Sequence, residues 1–569
     1  MWTIPMFYWT LLLLISGACL SEAAKILILP SSIHLSHKAI FYRLAEELLS
    51  RGHQVVSWEA ALTKDSVSGV PAPPGLEERI WELSVPEKYI QNLLQYKNST
   101  IYDLVWEDSV SEPARKAMNW AMSTRVCEMV LQRRKAEFDQ LAREYFDVVI
   151  LDDLFNPCGL LYAGLSRRPF IYWSQTLFRT ETAWSSQTPN PPSYIPVPGT
   201  GLTDDMNFVE RAFNLLSFMK TIYIHHRIIL RPIDRLFERY YDTVPKVGGD
   251  GLPSTTAGGL SGQLAPVPEA FYIERNASLN FINTPPLWDF PRPYMPRVIF
   301  VGGLHCRKPK PLTGEVAKFV DGAPEKSGFI LFTTGYSIQW SRAPKRIVES
   351  FVEAFREMAP IRFLWQYDGP KISNLPANVL VLPWLPQQDL LGHPKCKLFI
   401  THGGLNSVVE TLWHGVPILG IPIFADHRDH ILRAVAPIRG AGLMLPKTEV
   451  TKDSVVQKLK ALLRTGRYEK NAQVMRDLLT DVPYTEMEHA VWWVEFIVRH
   501  QEVPQSRSGA DDLNIFQYFL VDVISFLLAC LAVALIVIYY ILKLSLRLCL
   551  GCLGKVTGRG EDAGKKKTE

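Results

Sequence analysis

Thr401-His402-Gly403-Gly404-Leu405-Asn406-Ser407-Val408-Val409-Glu410 follows the apolar run Lys397-Leu398-Phe399-Ile400. A strand here runs into two glycines and then into a helix that Asn406 or Ser407 is expected to cap. Glycine lets a backbone approach a ligand closely, and a helix N-terminus offers unbonded N–H groups at the positive end of its dipole. Such a strand–turn–helix suits a phosphate or diphosphate, with His402 as a further donor. A Gly-Gly turn alone is often just a tight turn, so its surroundings carry the argument. Upstream, Trp384-Leu385-Pro386-Gln387 supplies an indole face on which a flat base can stack and an amide that can read base edges. Downstream, Glu410 lies one helical turn beyond Ser407, placed to accept both hydroxyls of a ribose. Asp426-His427-Arg428-Asp429-His430 ends the next apolar run, and polar groups at the carboxyl ends of parallel strands converge on ligands.

Outward from this passage, strands alternate with helices. Arg297–Gly302, Gly328–Thr333, Arg362–Gln366, Val379–Leu382 and Val416–Ile421 read as strands, and Ile347–Met358 as a helix. Nearer the N-terminus, Lys25-Ile26-Leu27-Ile28-Leu29-Pro30 reads as a buried parallel strand. A helix follows from His37, with apolar residues at Ile40, Leu44 and Leu48, and stops at Gly52; a strand begins at Val55-Val56. Phe146–Leu151 is a similar strand and ends at Asp152-Asp153. The pattern predicts an α/β protein with two doubly wound parallel sheets. The proline-rich stretch 285–296 is expected to link the two halves. The aromatic, aliphatic and basic region 207–241 packs on the core, lines a pocket or lies on a membrane.

The chain has 569 residues, 47% hydrophobic and 21% charged, enough for large cores and incompatible with wholesale disorder. Residues 543–569 hold seven basic and three acidic side chains and so account for the whole net charge of +4. A body without a basic field argues against nucleic acid as a partner. Residues 519–542 are apolar apart from Asp522, long enough to span a bilayer, and lysines and arginines follow them. An apolar stretch with small residues over 1–24 reads as a signal peptide. Both ends predict a single-pass type I protein with a luminal body. Lys566 and Lys567, third and fourth from the end, resemble a dilysine signal for return to the endoplasmic reticulum. Asn98 and Asn276 begin glycosylation sequons. Cys127 and Cys158 are able to pair in an oxidising lumen, although the sequence does not show that they do.

Trp384-Leu-Pro-Gln-Gln-Asp-Leu-Leu-Gly-His-Pro394, Thr401-His-Gly-Gly404, Glu410, Gly415-Val-Pro417, Pro422, Asp426 and Gly440-Ala-Gly442 together resemble the signature of the UDP-glycosyltransferases. The membrane-bound animal branch that includes the UDP-glucuronosyltransferases is the nearest match, and Val301–Cys306, Tyr367-Asp-Gly369 and Val521–Ile524 resemble it too. The resemblance implies the GT-B fold: two Rossmann-like domains facing a cleft, with one C-terminal transmembrane helix. The implied organisation is an acceptor-binding half over 25–284, the linker 285–296, a UDP-sugar-binding half over 297–510, the membrane helix 519–542 and a cytosolic tail over 543–569. The donor site would comprise Trp384 and Gln387 at uracil, His402, Gly403, Gly404, Asn406 and Ser407 at the diphosphate, Glu410 at the ribose, and Asp426 with His427 at the sugar. The resemblance implies no metal and no cofactor, the UDP-sugar (UDP-glucuronate or UDP-glucose) being a co-substrate. The acceptor would be a small lipophilic molecule. Assembly into a homo-oligomer is left open.

Transfer of a sugar to a hydroxyl needs a base, and histidine suits that task near neutral pH. His37 matches the family's catalytic histidine; His34, close by, does not. Asp152 matches its aspartate partner, with Asp153 as the fallback. Where the family has Gln and Asn, this chain has His427 and His430, and Tyr336 stands in its Gly-Ser loop. A protonated His427 would favour a sugar carboxylate. His427, Asp429 and His430 also invite a metal-site reading, which the family does not support. These departures motivate a rival reading, a luminal binding protein of the same fold without turnover. A serine hydrolase is excluded by the lack of a G-x-S-x-G elbow.

Overall fold

The computed structural model describes residues 23–31, 35–62, 69–86, 88–90, 95–96, 99–100, 105–106, 112–244, 264, 266–336, 338–423, 426–437 and 439–558. Most of the expected signal peptide, the sequon asparagine Asn98, His34 and the dilysine tail lie outside them. Residues 1–507 form one compact unit and 508–569 a second.

In the first unit, strand β1 (Lys25–Leu29) leads into helix α1 (Leu35–Ser50) and strands β2 (Gln54–Ala61) and β3 (Glu77–Glu82). Helix α2 (Glu112–Arg143), strand β4 (Val148–Asp152), helix α3 (Pro157–Ser166) and strand β5 (Phe170–Ser174) follow. Next come helix α4 (Phe208–Ile224) and strands β6 (Leu279–Ile282) and β7 (Val298–Phe300). These seven strands make one parallel sheet in the order β7-β6-β5-β4-β1-β2-β3. The order reverses between β1 and β4, so a crevice opens at the ends of those two strands. Ile26, Leu27, Ile28 and Leu29 are completely buried, each worth about 1.5–3 kcal/mol relative to exposure. Cys127 on α2 and Cys158 on α3 are joined by a disulfide, with their Cα atoms 5.3 Å apart.

The second sheet contains β8 (Phe329–Thr333), β9 (Arg362–Gln366), β10 (Val379–Leu382), β11 (Cys396–Thr401), β12 (Ile418–Gly420) and β13 (Gly442–Met444) in the order β10-β9-β8-β11-β12-β13. All its pairs are parallel, and its reversal falls between β8 and β11, where Thr333 lies opposite Thr401. Helices α5 (Lys345–Glu357), α6 (Leu405–Trp413), α7 (His427–Val435) and α8 (Lys452–Arg464) accompany it, and α9 (Glu486–His500) follows them in the chain.

Two expectations about the halves need correction. Val298–Phe300, read as the first strand of the second half, pairs with β6 at the edge of the first sheet, so 285–296 connects two strands of one sheet. Helix α9 leaves the second sheet and buries Ala490, Val491, Val494 and Ile497 in the cluster that holds Ile26, Phe41 and Leu44. Apolar stripes of this kind pack on whichever sheet the chain brings near, which local sequence does not record.

Region 207–241 also differs from a simple core-facing helix. Asn207 and Glu210 cap α4 reciprocally. A π-turn over His225–Leu230 follows and leads into the helix Arg231–Tyr240. Phe208, Val209, Phe213, Leu216 and Met219 are exposed, while Asn214, Phe218 and Ile222 face inward. In the second unit, helix α10 (Val521–Gly558) is exposed throughout its described side chains. Its Val521–Cys552 stretch is long and apolar enough to cross a membrane.

Candidate active site

At the first crevice, His37 in the opening turn of α1 meets Asp152 at the end of β4. His37 Nδ1 lies 2.8 Å from Asp152 Oδ2. The same carboxylate accepts the backbone N–H of Ser31 at 3.2 Å and that of Leu154 at 3.1 Å. Three donors thus lock the carboxylate, and it locks the imidazole with its proton on Nδ1. Asp153, the fallback, engages Arg179 instead, at 2.5 Å.

At the second crevice, α6 starts directly after the glycines. Gly404 is its N-cap, in place of the expected Asn406 or Ser407. Asn406 and Ser407 are therefore the second and third helical residues, with their N–H groups at the positive end. Asn406 Oδ1 accepts from Asn283 Nδ2 at 2.9 Å, a link between the layers of the two sheets. Gly403 adopts φ +95, and a Cβ there would lie 2.6 Å from Ile431 and 2.8 Å from the His427 carbonyl. At Gly404 a Cβ would come within 2.5 Å of His402 Nε2. Gly403 thus answers to crowding by Ile431 and the α7 backbone, and Gly404 to crowding by the His402 ring, as well as to ligand access.

Gln387 and Glu410 form one network. Gln387 Nε2 donates to Ser407 Oγ at 3.0 Å and to Glu410 Oε2 at 2.6 Å, and its Oε1 accepts from the Thr333 hydroxyl. Gln388 Nε2 donates to Glu410 Oε1 at 3.2 Å. The Gln387 amide is thus committed to protein partners, whereas sequence reading aimed it at a base. Burial pushes the Glu410 carboxyl up to about 7 against the hydrogen bonds from Gln387 and Gln388. Trp384 is 51% exposed, and Tyr336, 40% exposed, leans on it with ring centroids 4.6 Å apart.

Three histidines pack beneath the turn. His402 meets His427 edge to face at 4.7 Å, and His430 Nδ1 donates to the Gly403 carbonyl at 2.8 Å. Burial lowers His402 to about 4 and holds His427 well below its ordinary value. Burial and the neighbouring histidines thus disfavour the protonated His427 considered from sequence. Asp426 precedes α7 without capping it, with His430 Nε2 at 3.4 Å. No group of three or more His, Cys, Asp or Glu side chains converges as metal ligands among the described residues.

A single cavity of about 550 Å³ joins the two crevices. It is lined by His37 from the first crevice and by Trp384, Gln387, His402, Gly404, Asn406, Ser407, Glu410, Asp426 and His427 from the second. Asp152 stands behind His37.

The profile of the family described as "UDP-glucoronosyl and UDP-glucosyl transferase" matches residues 24–243 and 268–556. UDP-glucuronosyltransferase 2B15 of Homo sapiens is 31% identical over 567 residues, covering 97% of this chain and 96% of the relative. UDP-glucuronosyltransferase 1A7 of Mus musculus is 31% identical over 575 residues, covering 98% and 97%. The chain belongs to the UDP-glucuronosyl and UDP-glucosyl transferase family. A solved UDP-glucosyltransferase from Polygonum tinctorium superposes with a TM-score of 0.52 at 17% identity, covering 84% of this chain and 99% of its own. At that identity the likeness speaks to the fold, which is GT-B.

As a member of this family the protein is a hexosyltransferase. Sequence reasoning found the family's motif residues and missed the wall opposite them. Lys116, Arg179 and Glu181 line the same cavity from α2 and from the start of the helix Thr180–Ser185. The available signal was positional: Arg179 and Glu181 follow the carboxyl end of β5, where ligand groups gather. His305, whose Nε2 lies 3.4 Å from the Asn406 carbonyl, was likewise overlooked.

Proposed function

We propose that this UDP-glycosyltransferase moves a hexose from a UDP-sugar to a hydroxyl of a small lipophilic acceptor in one displacement with inversion. One observation carries the reading: the His37–Asp152 pair, closed at 2.8 Å, opens onto the same cavity as the amino end of α6. With its Nδ1 proton held by Asp152, the His37 ring uses Nε2 as the base. The acceptor oxygen loses its proton to Nε2 and attacks the anomeric carbon, and the bond from that carbon to the UDP oxygen breaks. Asp152 stabilises the imidazolium that forms. Charge growing on the diphosphate is met by the N–H groups at Asn406 and Ser407 and by the α6 dipole. Glu410 takes the ribose, Trp384 the uracil, and Asp426 with His427 the sugar hydroxyls. Apolar walls at Leu154, Phe155 and Ile229 suit a lipophilic acceptor.

Replacing His37 by Ala tests the reading. UDP binding is expected to persist while transfer falls by about 10²-fold or more; full activity in the variant would reject it. UDP release by the wild-type protein, with donor and a phenol panel, distinguishes an enzyme from a binding protein of the same fold. In this reading α10 anchors the protein in the endoplasmic reticulum membrane with its body in the lumen, and protease protection of residues 25–507 in sealed microsomes checks that orientation.

A further inference from the structure

A charged chain runs along the cavity wall beside the His37–Asp152 pair. Asp153 accepts from Arg179 Nη2 at 2.5 Å and from Thr182 Oγ1 at 3.1 Å. Arg179 Nη1 lies 3.5 Å from Glu181 Oε1, and Lys116 Nζ donates to that same Oε1. Lys116, Arg179 and Glu181 all line the cavity. Both cations thus converge on one oxygen of a carboxylate that is about 95% buried, Glu181 being 5% exposed. Its other oxygen, Oε2, receives no hydrogen bond among the described residues, and Glu181 itself lines the cavity.

Burial alone would raise the Glu181 carboxyl, but the Lys116 ammonium and the Arg179 guanidinium outweigh it and hold the group well below the usual carboxylate range. An ionised carboxylate oxygen only accepts hydrogen bonds, so the group it meets must donate one. Charge narrows the choice further. Within this chain two cations, Lys116 and Arg179, face two carboxylates, Asp153 and Glu181, an arrangement that favours an uncharged partner over an ion. A ligand ammonium would sit beside two cations, and a ligand carboxylate would face Glu181. A neutral hydroxyl satisfies Oε2 without either conflict. Leu154, Phe155, Ile224 and Ile229 line the same chamber and accommodate an apolar skeleton between polar ends.

We propose that Glu181 Oε2 receives a second hydroxyl of the acceptor, so that the preferred acceptors are uncharged lipophiles with at least two hydroxyls, one reacting at His37 and one held at Glu181. This rests on the transferase reading given above. An active site whose buried polar group expects a hydroxyl discriminates strongly against a ligand that lacks it.

The test uses the full-length protein with UDP-sugar and matched acceptors: 2-naphthol against 2,6- and 2,7-dihydroxynaphthalene, and 4-hydroxybiphenyl against 4,4'-dihydroxybiphenyl. These pairs sample several separations between hydroxyls. After correction for the doubled number of reactive groups, the best diol is expected to exceed its mono-ol in kcat/KM by about tenfold or more. Glu181→Gln and the charge-balanced double substitution Lys116→Met with Glu181→Leu are each expected to bring that ratio within about threefold of unity. The ratio is internal to each protein, so a general loss of activity does not mimic the effect, and the thermal shift with UDP reports whether the donor side is folded. A wild-type ratio near unity for every pair, or a ratio unchanged in both variants, overturns the Glu181 assignment alone. Absence of turnover with every acceptor, in wild-type protein that binds UDP, overturns the transferase reading and this one with it.

Discussion

Asp152 and Asp153 are adjacent at the end of β4, yet Asp152 Oδ2 holds His37 Nδ1 at 2.8 Å while Asp153 Oδ2 holds Arg179 Nη2 at 2.5 Å. Side chains alternate in direction along a strand, so one dipeptide serves two sides of the crevice. One carboxylate orients an imidazole, and the other anchors the charged wall.

That division predicts unequal effects of two conservative changes. Asp152→Asn keeps the shape but removes the charge that stabilises an imidazolium. Its kcat is expected to fall by about 10²–10⁴-fold, with the dissociation constant for UDP unchanged. A kcat within about threefold of wild type would show that the carboxylate has no part in the reaction.

Glu410 predicts a pH dependence. Its carboxyl is raised to about 7 by burial, despite the hydrogen bonds from Gln387 and Gln388. Ribose hydroxyls donate best to the ionised form, so affinity for UDP-glucose is expected to rise with pH between about 6 and about 8, with release of a proton. Calorimetry in buffers of different ionisation enthalpy measures that proton, and Glu410→Gln should abolish it. The sign for folding is opposite. The folded pKa exceeds the ordinary value of 4.5, so this group's contribution is complete below that value and is lost as pH rises through about 7. Ligand-free protein should therefore lose thermal stability across the interval in which its donor affinity improves.

His427 predicts a small effect where charge logic alone would expect a large one. Burial, then His402 and His430, keep its ring neutral. Replacing it with the neutral amide in His427→Gln should change the kcat/KM ratio of UDP-glucuronate to UDP-glucose by less than about threefold. A change above about tenfold would mean that the ring is charged when the donor is bound.

The Cys127–Cys158 disulfide closes a loop with a sequence separation of 31. By loop-closure entropy its removal should cost about 3–4 kcal/mol. Urea unfolding of the full chain in detergent, comparing wild type with Cys127→Ala/Cys158→Ala, measures the cost. Coincident midpoints would contradict it.

Much of the site was legible because its parts are short and local. A strand, two glycines and a helix start within ten residues at 401–410, and His37 and Asp152 each follow an apolar strand. The edge strand β3 went unread because Glu-Glu-Arg-Ile-Trp-Glu has too few apolar residues to announce itself. The pairing of β7 was unreadable for a different reason. A three-residue run of Val-Ile-Phe carries the same pattern whichever sheet it joins. The Lys116–Glu181 contact joins residues 65 apart on two helices, a distance at which no periodicity speaks.

The linear order of residues was enough to specify the strand–turn–helix units, the family signature and an apolar helix able to cross a membrane, because each depends on neighbours within one or two turns of chain. Folding in three dimensions selected which carboxylate of an adjacent pair faces the imidazole, which sheet receives Val298–Phe300, and that burial disfavours charge on His402 and His427. Those outcomes depend on strand pairing between distant segments and on loss of water around a side chain. Both are properties of the surroundings, which chain segments far apart in sequence supply.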